Sequence, residues 1–277
     1  MFGISTDLHR RYLQETAAGG ATADLLWSSA MDQQMGLVLD GQAQPHGVQH
    51  NLPPEAAYRD LAVATTCEPL FTLSRDRSAP AGTPGEIAAL IKSDPDRFRG
   101  RVVVPDIETN GLGFLAMLRW SLEEPEFDKF LHVLSSCSPR AVGSAPALVS
   151  AMSEGAQLVL NVLGSYSLRA LSADPALFIA PTAKPSIGVS RVAFIPRRAA
   201  NPEAASAFLA YMISPPGQAA LGEAGLFPIT APQPHPVAPI PLDDRFARLL
   251  DPATRTALLT RWRAALGRPT NSPGGTQ

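Results

Sequence analysis

The 277-residue sequence predicts an α/β protein, because short apolar strands repeatedly run into small polar loops that open helices. Three stretches carry that expectation. Residues 23–27 form an apolar run that passes through Ser28-Ser29 into a helix from about Asp32 to Leu39, closed by Asp40-Gly41. Residues 101–105, β-branched at Val102-Val103-Val104, pass through the loop 106–113 into a helix over 114–122. Residues 157–162 run into Leu163-Gly164-Ser165-Tyr166, after which a helix continues through Leu171. This order predicts a parallel sheet with covering helices.

The remaining elements follow the same reasoning. Thr6 or Asp7 caps a first helix through Leu8, Tyr12 and Leu13, ended by Gly19-Gly20. Residues 62–73 read as one extended segment, 74–85 as turn-rich and 86–93 as a helix. Helices are expected over 127–134 and 145–153, and one strand over 189–195, bounded by Pro196. An amphipathic helix over 202–213 has Pro202 in its first turn, a shorter one follows at 217–224, and the last helices are expected at 243–250 and 252–266. The polar, Pro/Gly-rich stretch 268–277 is expected to be a disordered tail.

Composition excludes several classes. Charged residues are 17% and the formal net charge is −2, so no field draws the chain to nucleic acid or an anionic membrane. No apolar run approaches the about 18 residues of a membrane span. The opening residues lack the basic-then-apolar pattern of a signal peptide. Cys67 and Cys137 match no metal spacing and are expected to be two separate buried thiols.

Catalytic constellations are weak. There is no G-x-S-x-G elbow and no H-E-x-x-H, and the five histidines are scattered. His46 and His50 are four apart, but Pro45 and Gly47 argue against a helix, so both are expected to be solvated loop residues. Arg10-Arg11 is expected on a solvent face. No enzyme, cofactor or metal site is expected.

In open α/β sheets ligands sit beyond the carboxyl ends of strands. Three loops meet that description, carrying Ser28 and Ser29; Thr109, Asn110 and Gly111; and Ser165 and Tyr166. The first N–H groups of a helix lack intrahelical partners and carry the positive end of the dipole, so such loops suit an anion. The same residue types also serve any helix start as ordinary caps. None of the three loops matches the phosphate-binding glycine motifs.

Several stretches together resemble one family, the extracellular solute-binding proteins of ABC importers of the iron(III) and phosphonate type. They are Ala23-Asp24-Leu25-Leu26-Trp27-Ser28-Ser29-Ala30-Met31-Asp32 with Asp40-Gly41, residues 157–166, residues 201–208, and Ser214-Pro215-Pro216-Gly217-Gln218. The resemblance implies a type II periplasmic-binding-protein fold, two lobes joined by two crossover strands at 66–73 and 188–195. Lobe one would comprise 1–70 and 190–267, and lobe two 71–189. It further implies a periplasmic monomer that captures a small anionic ligand (carboxylate, phosphonate or sugar phosphate) at the three loops. Its partner would be an ABC permease or the ectodomain of a sensor kinase, with no nucleic acid involved. Two departures stand out. The family's first strand and helix are expected to be missing, so the chain reads as N-terminally truncated and, as written, cytoplasmic. Iron carriers of the family use adjacent tyrosines, where this chain has Ser165-Tyr166, so an organic or phosphorus anion is favoured over the alternative of an iron(III) carrier.

Overall fold

The computed structural model describes residues 5–20, 22–76, 82–232 and 236–267. The expected tail 268–277 and part of the turn-rich stretch 74–85 lie outside them. The chain opens with α1 (Ser5–Ala17), ended at Gly19 in the left-handed region that glycine tolerates. Arg10 and Arg11 pair with Asp7 and Glu15 along its exposed face. Then come β1 (Leu26–Ser28), α2 (Met31–Leu39), β2 (Ala43–Gln44), β3 (Ala57–Tyr58) and β4 (Ala62–Ala64).

The chain next crosses through Thr65–Cys67 (residues 65–67) into β5 (Glu68–Ser74), α3 (Pro84–Ser93), α4 (Pro95–Phe98), β6 (Val102–Pro105), α5 (Gly111–Glu123) and α6 (Phe127–Ser136). It continues with β7 (Arg140–Val142), α7 (Ala145–Ser153), β8 (Leu158–Leu163), α8 (Gly164–Ala173), β9 (Phe178–Pro181) and β10 (Ser186–Val189). A two-residue link, Ser190-Arg191, returns it to β11 (Val192–Pro196). The last elements are α9 (Pro202–Ile213), α10 (Pro215–Glu223), β12 (Val237–Pro239), α11 (Phe246–Leu249) and α12 (Pro252–Ala265).

These strands form two sheets. The first runs β1-β11-β4-β3, with β2 also on β11, and the second runs β12-β10-β5-β8-β6-β7, with β9 also on β5. The parallel sheet expected from the strand-loop-helix order holds only in part. β6 is parallel to β7 and to β8, and β12 is parallel to β10. Every pair in the first sheet is antiparallel. The reason is connectivity: β11 enters the first sheet from the return crossover and so runs against both β1 and β4. The extended segments 62–73 and 189–195 are each interrupted where the chain changes sheets, which splits them into β4 and β5 and into β10 and β11.

One large apolar cluster spans much of the molecule, including Tyr12, Met31, Met35 and Phe194 near the first sheet and Phe114, Trp120 and Phe130 on the helices of the second. Tyr12 meets Phe194 edge-on at 6.5 Å, and Trp120 meets Phe130 at 5.4 Å. The C-terminal part departs from the division expected from the sequence. β12 extends the second sheet beside β10, and α12 packs on α5 and α6. Its apolar face, Leu258, Trp262 and Ala265, is buried there, so burial rather than chain position decides which sheet it serves. Cys67 and Cys137 are free and buried, and burial raises both thiols to about 11.

His46 corrects an expectation. It is 2% exposed rather than solvated, because its carbonyl accepts a hydrogen bond from the Ser206 hydroxyl of α9 and its ring packs 6.1 Å from His50. Burial holds its imidazole below the ordinary range.

Candidate functional site

Loop one begins where β1 ends. Ser28 lies opposite Val192 in the sheet register, immediately beside the return crossover. Its hydroxyl oxygen accepts from the Ala30 N–H at 3.1 Å, and the Ser29 carbonyl accepts from the Met31 N–H at 3.0 Å. The Ser190 N–H donates to the Met31 sulfur at 3.0 Å, and the Gln34 amide donates to the Val192 carbonyl at 3.3 Å. The start of α2 is thus tied to the crossover strand.

Loop two joins β6 to α5. Asn110 is the N-cap of α5, its side-chain oxygen accepting from the Gly113 N–H at 2.9 Å. Thr109 is exposed and donates its hydroxyl proton to the Asp106 carbonyl. Gly111 meets loop one directly. A β-carbon placed on it would lie 2.2 Å from Asp32 Oδ1, in the first turn of α2. Only glycine therefore lets the two helix starts approach. Asp32 is 6% exposed, and its Oδ1 has no hydrogen-bond partner among the described residues. Burial holds its carboxyl above the ordinary range, opposed by the Gln33 N–H and by Arg255. The Arg255 guanidinium stands 3.9 Å away on α12 and stacks 4.2 Å from the Phe114 ring centroid.

Loop three is the first turn of α8. The Ser165 N–H and hydroxyl both donate to Glu68 Oε2. Glu68 is the first residue of β5 and fully buried, and its other oxygen accepts from Arg191 Nε at 3.0 Å. Gly164 has no room for a side chain, because an added β-carbon would stand 2.8 Å from the Phe227 ring. Tyr166 is half-buried, packs against both core clusters, and carries the Arg169 guanidinium over its ring at 5.7 Å.

The two crossovers join these loops. Arg191 lies over the Trp27 ring at 6.0 Å, next to Ser28. Trp27 Nε1 donates to the Thr65 hydroxyl at 2.8 Å, Thr65 donates to the Arg191 carbonyl, and the Arg191 N–H donates to the Thr66 hydroxyl. Loop one touches loop two through Asp32 and Gly111, and it touches loop three through Trp27, Arg191 and Glu68. Two of the three helix starts already face a carboxylate of the chain itself. Ser165 in particular serves Glu68, so its donors are spent inside the protein. A cavity of about 160 Å³ borders both crossovers at Cys67 and Ser190 and reaches Glu55, Val237 and Pro239. It shares no residue with the three loops and is smaller than the ~300 Å³ at which ordinary ligand pockets begin. Among the described residues no group of three His, Cys, Asp or Glu is placed to hold a metal.

Glu68, Asp32, Arg191, Trp27 and Arg255 were not singled out as site residues by the sequence. Glu68 and Arg191 did leave a signal: each is a lone charge within an apolar extended segment, and such a charge is buried only when paired.

The family description of bacterial extracellular solute-binding proteins matches residues 7–227. The substrate binding protein of the ABC transporter from Agrobacterium tumefaciens has a similar structure. It is 27% identical with a TM-score of 0.87, over 95% of this chain and 84% of that one. Iron-bound HitA from Pseudomonas aeruginosa is similar at 17% identity and a TM-score of 0.66, over 94% and 87% of the two chains. AfuA from Actinobacillus pleuropneumoniae, a periplasmic binding protein solved with exogenous fructose-6-phosphate bound, is similar at 14% identity and 0.71, over 96% and 89%. No curated protein matches the chain. No helix among the described residues is long and apolar enough to cross a membrane. With its two sheets in the type II periplasmic-binding arrangement, this chain belongs to the bacterial extracellular solute-binding proteins of ABC transporters.

Proposed function

We propose that this protein captures a small anion, a carboxylate, phosphonate or sugar phosphate, between its two lobes as a periplasmic monomer and presents it to an ABC permease. The lobes are taken as the units around the two sheets, with boundaries near residues 70 and 190 and with β12 and α12 on the second. One observation carries the reading. The Asp32 carboxylate of α2 is buried against the first turn of α5, with one oxygen unpartnered. Asp32 Oδ1 takes no donor from α5, so this helix start, whose dipole favours negative charge, keeps its N–H groups for a solute anion in the gap between the lobes. A soluble anion reaching that gap would meet the same helix start, with Ser28, Ser29, Thr109, Asn110 and Tyr166 around it. Ser165 acts behind them, through Glu68.

The test is thermal shift and small-angle scattering of the purified chain with fructose 6-phosphate, methylphosphonate, succinate and ferric nitrilotriacetate. An anion that binds raises the melting temperature and reduces the radius of gyration as the lobes close. A panel that changes neither quantity, or a response to ferric ion alone, removes the anion reading.

A further inference from the structure

We infer that the guanidinium of Arg191 is the charged contact for the solute's anionic group, and that Glu68 positions it. This rests on the capture reading above and names the residue that would carry its charge recognition.

Arg191 sits in the two-residue return crossover, where the chain passes from β10 to β11. Its side chain is held from three directions. Nε donates to Glu68 Oε1 at 3.0 Å, the guanidinium lies over the Trp27 ring, and the backbone N–H is bonded to the Thr66 hydroxyl. Glu68 in turn is fixed by both donors of Ser165 at the start of α8. Among the described residues no acceptor takes the two terminal NH2 groups of Arg191, and its side chain keeps 20% of its surface open while Glu68 keeps 1%.

The arrangement divides the guanidinium in two. Its inner nitrogen is spent on a buried carboxylate, and its outer edge, two parallel donors, has no acceptor among the described residues and lies beside Trp27 of loop one and Glu68, which Ser165 of loop three holds. That edge is the fork that recognises carboxylates and phosphoryl oxygens in bidentate fashion. Glu68 has a second consequence. The buried glutamate cancels the charge of the partly buried arginine, so the edge offers direction without a large unbalanced field. The solute class that suits it is a planar carboxylate or a phosphoryl group with two free oxygens.

Arg191→Lys keeps a positive charge opposite Glu68, so the fold is retained, but a lysine ammonium lacks the fork. The double change Glu68→Gln with Arg191→Gln removes both charges together and leaves no unpaired ion in the core. The full chain and both variants are titrated calorimetrically with fructose 6-phosphate, methylphosphonate, succinate, ferric nitrilotriacetate and choline, and melted without ligand. The expected result is that an anion binds the parent chain, that Arg191→Lys weakens it about tenfold or more at a nearly unchanged melting temperature, and that the double variant weakens it about a hundredfold. If an anion binds all three proteins equally, the assignment of Arg191 falls while the capture reading stands. If only choline or ferric ion binds, the anion class falls and the assignment with it. If no compound binds the parent chain, the capture reading itself falls. Should the double variant fail to fold, Arg191→Lys alone decides.

Discussion

The starts of α5 and α8 lie at the carboxyl ends of β6 and β8, parallel neighbours in the second sheet, yet they treat negative charge in opposite ways. At α8 the carboxylate of Glu68 comes from the strand leaving the first crossover. It is saturated with donors, two from Ser165 and one from Arg191. At α5 the carboxylate of Asp32 comes from α2 above the first sheet, and one of its oxygens has no donor. The α8 carboxylate is a permanent part of the frame. The α5 carboxylate is a contact between elements of the two sheets, so under the capture reading it is one that lobe opening would break. Two helix starts of one sheet thus differ because one facing carboxylate comes from a strand of that same sheet and the other from α2 beside the first sheet.

The largest effect should come from breaking the saturated site. Glu68→Ala leaves the Arg191 guanidinium and the Ser165 donors without their acceptor and should cost about 3–5 kcal/mol of unfolding free energy in chemical denaturation. A cost below about 1 kcal/mol would mean that the α8 carboxylate is as dispensable as a surface ion. Next comes Gly111→Ala, whose methyl group would enter the space of Asp32 Oδ1 at 2.2 Å. It should disfavour the closed arrangement by roughly 1–3 kcal/mol, read as a larger radius of gyration and weaker solute binding. An unchanged scattering profile would show that the α5 contact does not govern closure.

The smallest effect concerns Asp32→Asn. The folded state raises the Asp32 carboxyl above its ordinary 3.8, chiefly by burial, so the native protein holds that proton more tightly than the unfolded chain. Its contribution is therefore fully present below that ordinary value and is lost as pH rises through the raised one. The amide does not titrate. The Asn variant should gain on the order of 1 kcal/mol relative to the parent at neutral pH, with the gain shrinking toward acid. A difference between the two melting curves that stays constant from about pH 4 to about pH 8 would remove the unpaired-charge account of the α5 contact.

Helices and their starts were largely legible in the sequence. Pro202 marks the opening of α9 and Gly19 closes α1, because caps and breakers act locally, whereas α5 opens at Gly111, ahead of the expected residue 114, with Asn110 as its cap. The fold class was legible in the strand-loop-helix order, and the family in the segment ending at Asp32. Strand direction was not, since the antiparallel pairing of β1 with β11 joins residues more than a hundred positions apart. The short strands β7, β9 and β12 were missed for a related reason: three or four residues carry too little periodicity to read. At the candidate site the loops were visible, but the carboxylates that face them were not. Glu68 and Ser165 are 97 positions apart, and no local pattern announces their meeting.

The return link between the sheets is only two residues long, and Arg191 is one of them. Any swing of one lobe about the other must take up its rotation there, in residues 65–67 and in the passage from α10 to β12. Points on a pivot travel least. A charge carried on that axis would therefore hold almost the same position in the open and shut forms, so solute could dock before the lobes move and closure would then wrap around it. Selectivity for charge would be exercised at first encounter, while discrimination by size would wait for the second step.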